Sequence, residues 1–147
     1  MKDKRLSDAI IQLECQQLLN RISLLTDHQD WQALALCYTQ DAVLTRPSEP
    51  EKPIRGREEI LASLQARPPR STAHLNSGAV FTLVGCDEVH SVSRVWLLSG
   101  PPPIDAKPVV ADGKLLIGTF TDILARQDGH WLIAQRQGSI EIQSPLE

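Results

Sequence analysis

The chain has 147 residues, 41% of them apolar and 22% charged, which are ordinary fractions for a globular fold with room for one hydrophobic core. Its 15 basic and 18 acidic side chains leave a net charge of -3, which argues against a nucleic-acid partner, since that would need a concentrated basic surface. Three Trp, two Phe and one Tyr also leave few rings for base stacking.

The amino terminus is charged and lacks the apolar run of a secretory leader, and no stretch approaches the ~18 apolar residues that would span a bilayer. Cys15, Cys37 and Cys86 are an odd number at wide spacing without a CxxC pair. A cytoplasmic protein with buried free thiols and no membrane partner is expected.

From Ser7 to about Thr26, Ile10, Ile11, Cys15, Leu18, Leu19, Ile22 and Leu25 recur at spacings of three and four, predicting an amphipathic helix with Ser7 as N-cap. The acidic corner Thr26-Asp27-His28-Gln29-Asp30 interrupts it, and Asp30 can cap a short second helix from Trp31 to Tyr38. Ala42 to Arg46 alternates as a strand, and Pro47, Pro50 and Pro53 then impose an extended loop. Gly56-Arg57-Glu58-Glu59 opens a third helix that Pro68-Pro69 stops near Ala66.

Strands follow at Ser71–Val84, Glu88–Ser99, Lys114–Gln127 and His130–Ile142, with a proline-rich loop from Gly100 to Asp112 and a hairpin signal at Asp128-Gly129. Helices followed by a run of strands predict an α+β fold, read as a single domain over 1–147 with its folded part at about 7–142.

His74, Asn76, Arg94 and Arg136 interrupt the apolar strand patterns, so some of them should face a cavity. His74 shares one strand face with Thr72 and Asn76, which suits either a polar pocket or a core histidine satisfied by hydrogen bonds. Asp30 has a capping role, whereas Asp27 has none evident. Exposure at the helix end would explain Asp27, and so would a carboxylate–imidazole pair with His74. His28, His90 and His130 lie beside turns, and no HxxH, HExxH, GxGxxG, P-loop or GxSxG spacing occurs, so neither a metal nor a cofactor is expected.

Taken in order, Asp27-His28-Gln29-Asp30-Trp31, Asp41-Ala42-Val43, Ile54-Arg55-Gly56-Arg57-Glu58-Glu59-Ile60, Thr72-Ala73-His74 and Asp128-Gly129-His130-Trp131 resemble the SnoaL-like family of the nuclear-transport-factor-2-like superfamily over residues 7–142. The resemblance implies a cone-shaped roll: three N-terminal helices packed on a strongly curved, mostly antiparallel mixed sheet that encloses a pocket. The pattern is most similar to the group of scytalone dehydratase and hexachlorocyclohexane dehydrochlorinase. That likeness places an Asp–His pair on Asp27 and His74 and a charge-stabilising arginine on Arg136. It departs at Ile22, where the dehydrochlorinase carries a lysine, and the substrate-binding tyrosines and second histidine of the dehydratase have no clear counterparts.

The implied function is a cofactor-independent lyase or isomerase acting on a small apolar or polycyclic molecule. Candidate substrate-binding walls are Leu24, Trp31, Tyr38, Asn76, Trp96 and Phe120, for each of which core packing is an alternative. Two further readings are a non-catalytic binding or oligomerisation module, like the small subunit of a ring-hydroxylating dioxygenase, and a polyketide or steroid tailoring cyclase. The family likeness also implies a homo-oligomer, a dimer or trimer.

Overall fold

The computed structural model describes residues 2–145; Met1, Leu146 and Glu147, which the expected span 1–147 includes, lie outside the described residues. Helix α1 (Lys2–Asp27) starts before Ser7, which is therefore an interior helical residue and not the cap. Its first turns carry good helix formers and a Lys4–Asp8 pair at i,i+4, so the polar segment joins the helix without an apolar face to bury. Further along, Cys15, Leu18, Leu19 and Ile22 are buried, while Ile10 turns outward. Gln29 adopts a left-handed φ of 57° and ends this helix at the acidic corner.

Helix α2 (Trp31–Ala35) is shorter than expected, and the Asp30 carboxylate caps it by accepting from Ala33 N at 3.2 Å. Strand β1 (Tyr38–Thr45) consequently begins four residues early. A two-residue strand β2 (Ile54–Arg55) lies inside what reads as loop and pairs antiparallel with β1. Helix α3 (Arg57–Gln65) follows, and strands β3 (Ser71–Leu83), β4 (Glu88–Gly100), β5 (Leu116–Gln127) and β6 (His130–Gln143) complete the fold.

The six strands form one mixed sheet in the order β2-β1-β6-β5-β4-β3, in which β1 runs parallel to β6 and every other pairing is antiparallel. Asp128 and Gly129, with φ of 52° and 78°, make the tight β5–β6 turn that their sequence predicts. Register shifts between Tyr38 and Val43, Ser77 and Val80, Ile117 and Gly118, and Ile123 and Leu124 mark bulges. Such bulges increase local twist and bend, and here the sheet curls without closing. The core sits between its concave face and the helices, built on Leu19, Leu34, Ile60, Val89, Leu124 and Ile133. Cys15 and Cys37 are buried there as free thiols, whereas Cys86 is exposed in the β3–β4 turn, contrary to expectation.

Candidate active site

The end of α1 meets the start of β3. Gln29 Nε2 donates to the Arg70 carbonyl at 2.7 Å and ties the acidic corner to that strand. The last helical residue, Asp27, thereby points its carboxylate at the strand's inner face. There it accepts from Thr72 Oγ1 at 2.8 Å and from the backbone N–H of His74 at 2.8 Å, and its Oδ1 lies 2.6 Å from His74 Nδ1. Burial would raise the Asp27 carboxyl, but hydrogen bonds from the His74 side chain, its backbone and Thr72 outweigh that and hold the group below its ordinary value. An ionised acceptor beside Nδ1 requires the proton to sit on Nδ1, which leaves Nε2 as the basic nitrogen.

His74 borders a cavity of about 510 Å³ enclosed by α1, the 45–48 loop and the concave sheet face, while Asp27 stands behind it and does not line the space. The exposed wall surface is mostly apolar, with Ile22, Leu34, Leu44, Leu64, Val95 and Leu97 among its residues, but polar and charged side chains also line it. Of the residues expected from sequence, Tyr38, Phe120 and Arg136 also border it. Arg57 at the start of α3 holds the start of β1 in place, its guanidinium donating to the Tyr38 carbonyl. Burial pushes the Tyr38 phenol above its ordinary value, so it remains a protonated donor at neutral pH.

Arg136 is 4% exposed and does not act alone. Asp122 on the neighbouring strand, 1% exposed, accepts from its Nε at 2.8 Å and its Nη2 at 2.9 Å. Phe120 lies under the guanidinium, 4.0 Å from ring centre to Cζ. Desolvation opposes the Arg136 charge, but Asp122 overrides it and keeps the group protonated. Only two of the five N–H donors of a guanidinium are taken by Asp122, so others are available to the cavity. Asp122 carries no role in the sequence reading, although its signal is present: it interrupts the inward series Gly118, Phe120, Leu124 with a charge that needs a cation opposite.

Four expected wall residues lie elsewhere. Trp96 is 45% exposed on the convex face, because β4 turns Val95 and Leu97 inward. Leu24 is 61% exposed on the outer side of α1, about 160° around the helix from the buried Ile22. Trp31 packs on the core rim beneath the Arg67 guanidinium, 5.9 Å away. Asn76 donates to Ser93 Oγ at 3.1 Å behind the wall, and its buried Oδ1 has no partner among the described residues. Arg46 and Arg67, absent from the sequence candidates, do border the cavity. A second concavity of about 890 Å³, between α1, α2 and the β5–β6 hairpin, is larger but contains neither Asp27 nor His74. Among the described residues no group of three or more His, Cys, Asp or Glu is placed to hold a metal, and no helix is long and apolar enough to cross a membrane.

Three helices on a curled mixed sheet with a pocket at the concave face define the nuclear-transport-factor-2-like class. Within it, the chain belongs to the SnoaL-like domain family, whose model matches residues 8–137. No curated protein matches the sequence. Similar solved structures include a provisionally named scytalone dehydratase from Novosphingobium aromaticivorans, 19% identical, covering 100% of this chain and 93% of that one with a TM-score of 0.81. A type 2 hexachlorocyclohexane dehydrochlorinase, LinA, is 21% identical over 97% of this chain and 93% of its own, with a TM-score of 0.80. An NTF2-like protein with a cystatin-like fold, also from N. aromaticivorans, is 16% identical over 94% of this chain and 86% of its own, with a TM-score of 0.73. At these identities the likeness is one of fold.

Proposed function

We propose that this protein is a lyase or isomerase that removes a proton from carbon with its own side chains, in the manner of a dehydratase, on a small and largely apolar molecule. The observation that carries this reading is the 2.6 Å contact between Asp27 and His74 Nδ1 at the edge of a cavity whose wall surface is mostly apolar. His74 Nε2 takes the proton, the C–H electron pair becomes the new double bond, and Asp27 steadies the imidazolium. In an elimination the departing hydroxyl takes that proton back and leaves as water. In an isomerisation another carbon of the substrate receives it. The free N–H groups of Arg136 and the Tyr38 hydroxyl are the donors for negative charge that gathers on oxygen. The names of the dehydratase and dehydrochlorinase among the structural neighbours support the same reaction class.

The test is a panel of cyclic β-hydroxy ketones, read by absorbance of the conjugated product and by deuterium uptake in D2O. Turnover by the native protein should fall by about two to four orders of magnitude in His74→Ala while that variant stays folded. Retained turnover in a destabilised His74→Ala protein would reduce His74 to a structural residue.

The protein is also proposed to associate with itself through the convex sheet face. Leu75, Trp96, Ile117 and Ile142 are register partners across four successive strands, and the row is largely solvent-exposed and apolar.

A further inference from the structure

The charges around the cavity do not cancel. Arg46, Arg67, His74 and Arg136 border it, and no aspartate or glutamate does so among the described residues. Three of the four have a carboxylate of their own just outside the space: Asp122 for Arg136, Asp27 for His74, and Glu49 for Arg46 at 3.1 Å. Arg67 has none within ion-pair distance among the described residues. It is partly buried at the end of α3, its guanidinium lies 5.9 Å from the centre of the Trp31 ring, and Pro68 and Pro69 follow it immediately. Desolvation, and after it the like charge of Arg46, holds the Arg67 pKa below its ordinary value, which is the signature of a cation lacking its counter-ion.

A desolvated charge without a partner is costly, and groups perturbed in this way concentrate in clefts where a ligand can supply the opposite charge. We infer that Arg67 is a specificity-determining residue of this cavity and that the substrate is an organic carboxylate, whose apolar body fills the aliphatic walls while its carboxylate pairs with the guanidinium. One uncompensated positive charge matches a monoanion. A phosphate ester, with a charge near -2 at neutral pH, would keep part of its charge unpaired. The Arg67 guanidinium carbon lies 5.9 Å from the Trp31 ring centre, and the planar fork of a guanidinium suits two parallel hydrogen bonds to a carboxylate. This assignment rests on the cavity being the substrate site proposed above.

Calorimetric titration with 2-naphthoate, 2-naphthamide and 2-naphthyl phosphate tests it. None of these has a proton for His74 to remove, so binding is read independently of turnover. The native protein should bind 2-naphthoate at least tenfold tighter than the isosteric amide. Arg67→Met, which keeps the stem over Trp31, should abolish that preference and leave amide affinity unchanged. Arg126→Met removes a cation that also faces a tryptophan ring, Trp131, but does not border the cavity, and it should preserve the preference. If Arg67→Met fails to fold, Arg67→Lys decides: it keeps the charge, loses the fork, and should weaken naphthoate at least threefold without changing the amide. Equal affinity for acid and amide, no binding of either, unaltered preference in folded Arg67→Met, or tighter binding of the phosphate ester would each overturn the inference.

Discussion

Asp122 and Arg136 bring opposite charges into the same buried layer, and neither is tolerable without the other. Asp122→Asn should cost about 3–5 kcal/mol in urea unfolding, because it leaves a desolvated guanidinium uncompensated. The double replacement Asp122→Leu with Arg136→Met should cost far less and still abolish turnover, which separates the structural role of the pair from the chemical one. Asp27 predicts a pH effect of definite sign. Its folded pKa lies below the ordinary 3.8, so its contribution to stability is full above that pH and is lost as pH falls through the folded value. The melting-temperature gap between native protein and Asp27→Asn should therefore be widest near neutral pH and narrow below about pH 4; a gap independent of pH would contradict it. His74, Asp27 and Arg136 stand out in the sequence as polar residues that periodicity and capping do not fully explain, and it is the SnoaL-like resemblance that puts a pair on Asp27 and His74 and an arginine on Arg136. Arg67 does not stand out, since an arginine before two prolines reads as a solvated helix end, and only the packing of α3 over Trp31 turns it toward the cavity.

Strand β5 depends on a glycine for a different reason than turn geometry. A Cβ on Gly118 would lie 2.1 Å from the Ser139 carbonyl oxygen of β6, so Gly118→Ala must displace backbone at the bulge. A loss of about 1–3 kcal/mol or more is expected in thermal unfolding, whereas Gly85→Ala, with nothing within 4 Å, should be nearly neutral. Element types were largely readable from period and punctuation, and the ends were less so. The polar start of α1 hides its first turn, since no buried face marks it. β2 is two residues long among prolines, too short for alternation to register. In β4, Ser91 and Ser93 face inward while Val92, Trp96 and Leu98 face outward, so apolar content does not distinguish the faces and Trp96 reads as a wall residue.

The exposed row Leu75, Trp96, Ile117 and Ile142 has the same origin: a sheet apolar on both faces, with helices covering only one. Size-exclusion chromatography with light scattering should show more than one 16.3 kDa chain, and Trp96→Glu should shift the population to the monomer without lowering the melting temperature. A monomer at micromolar concentration in the native protein would refute self-association through this face. Bulges in β1, β3 and β6 bend the sheet and leave the concave space open next to the core.

Local chemistry carried much of the outcome. Helical and strand periods, the Asp30 cap and the Asp128-Gly129 turn act between near neighbours, so they could be read in order, and with them the α+β class and the polar residues that needed explanation. Contacts between residues 14 to 47 positions apart carry no such periodic mark. The pairing of Asp27 with His74 and of Asp122 with Arg136, the inward turn of Arg67 and the outward turn of Trp96 arose only when strand register and sheet curvature brought distant segments together.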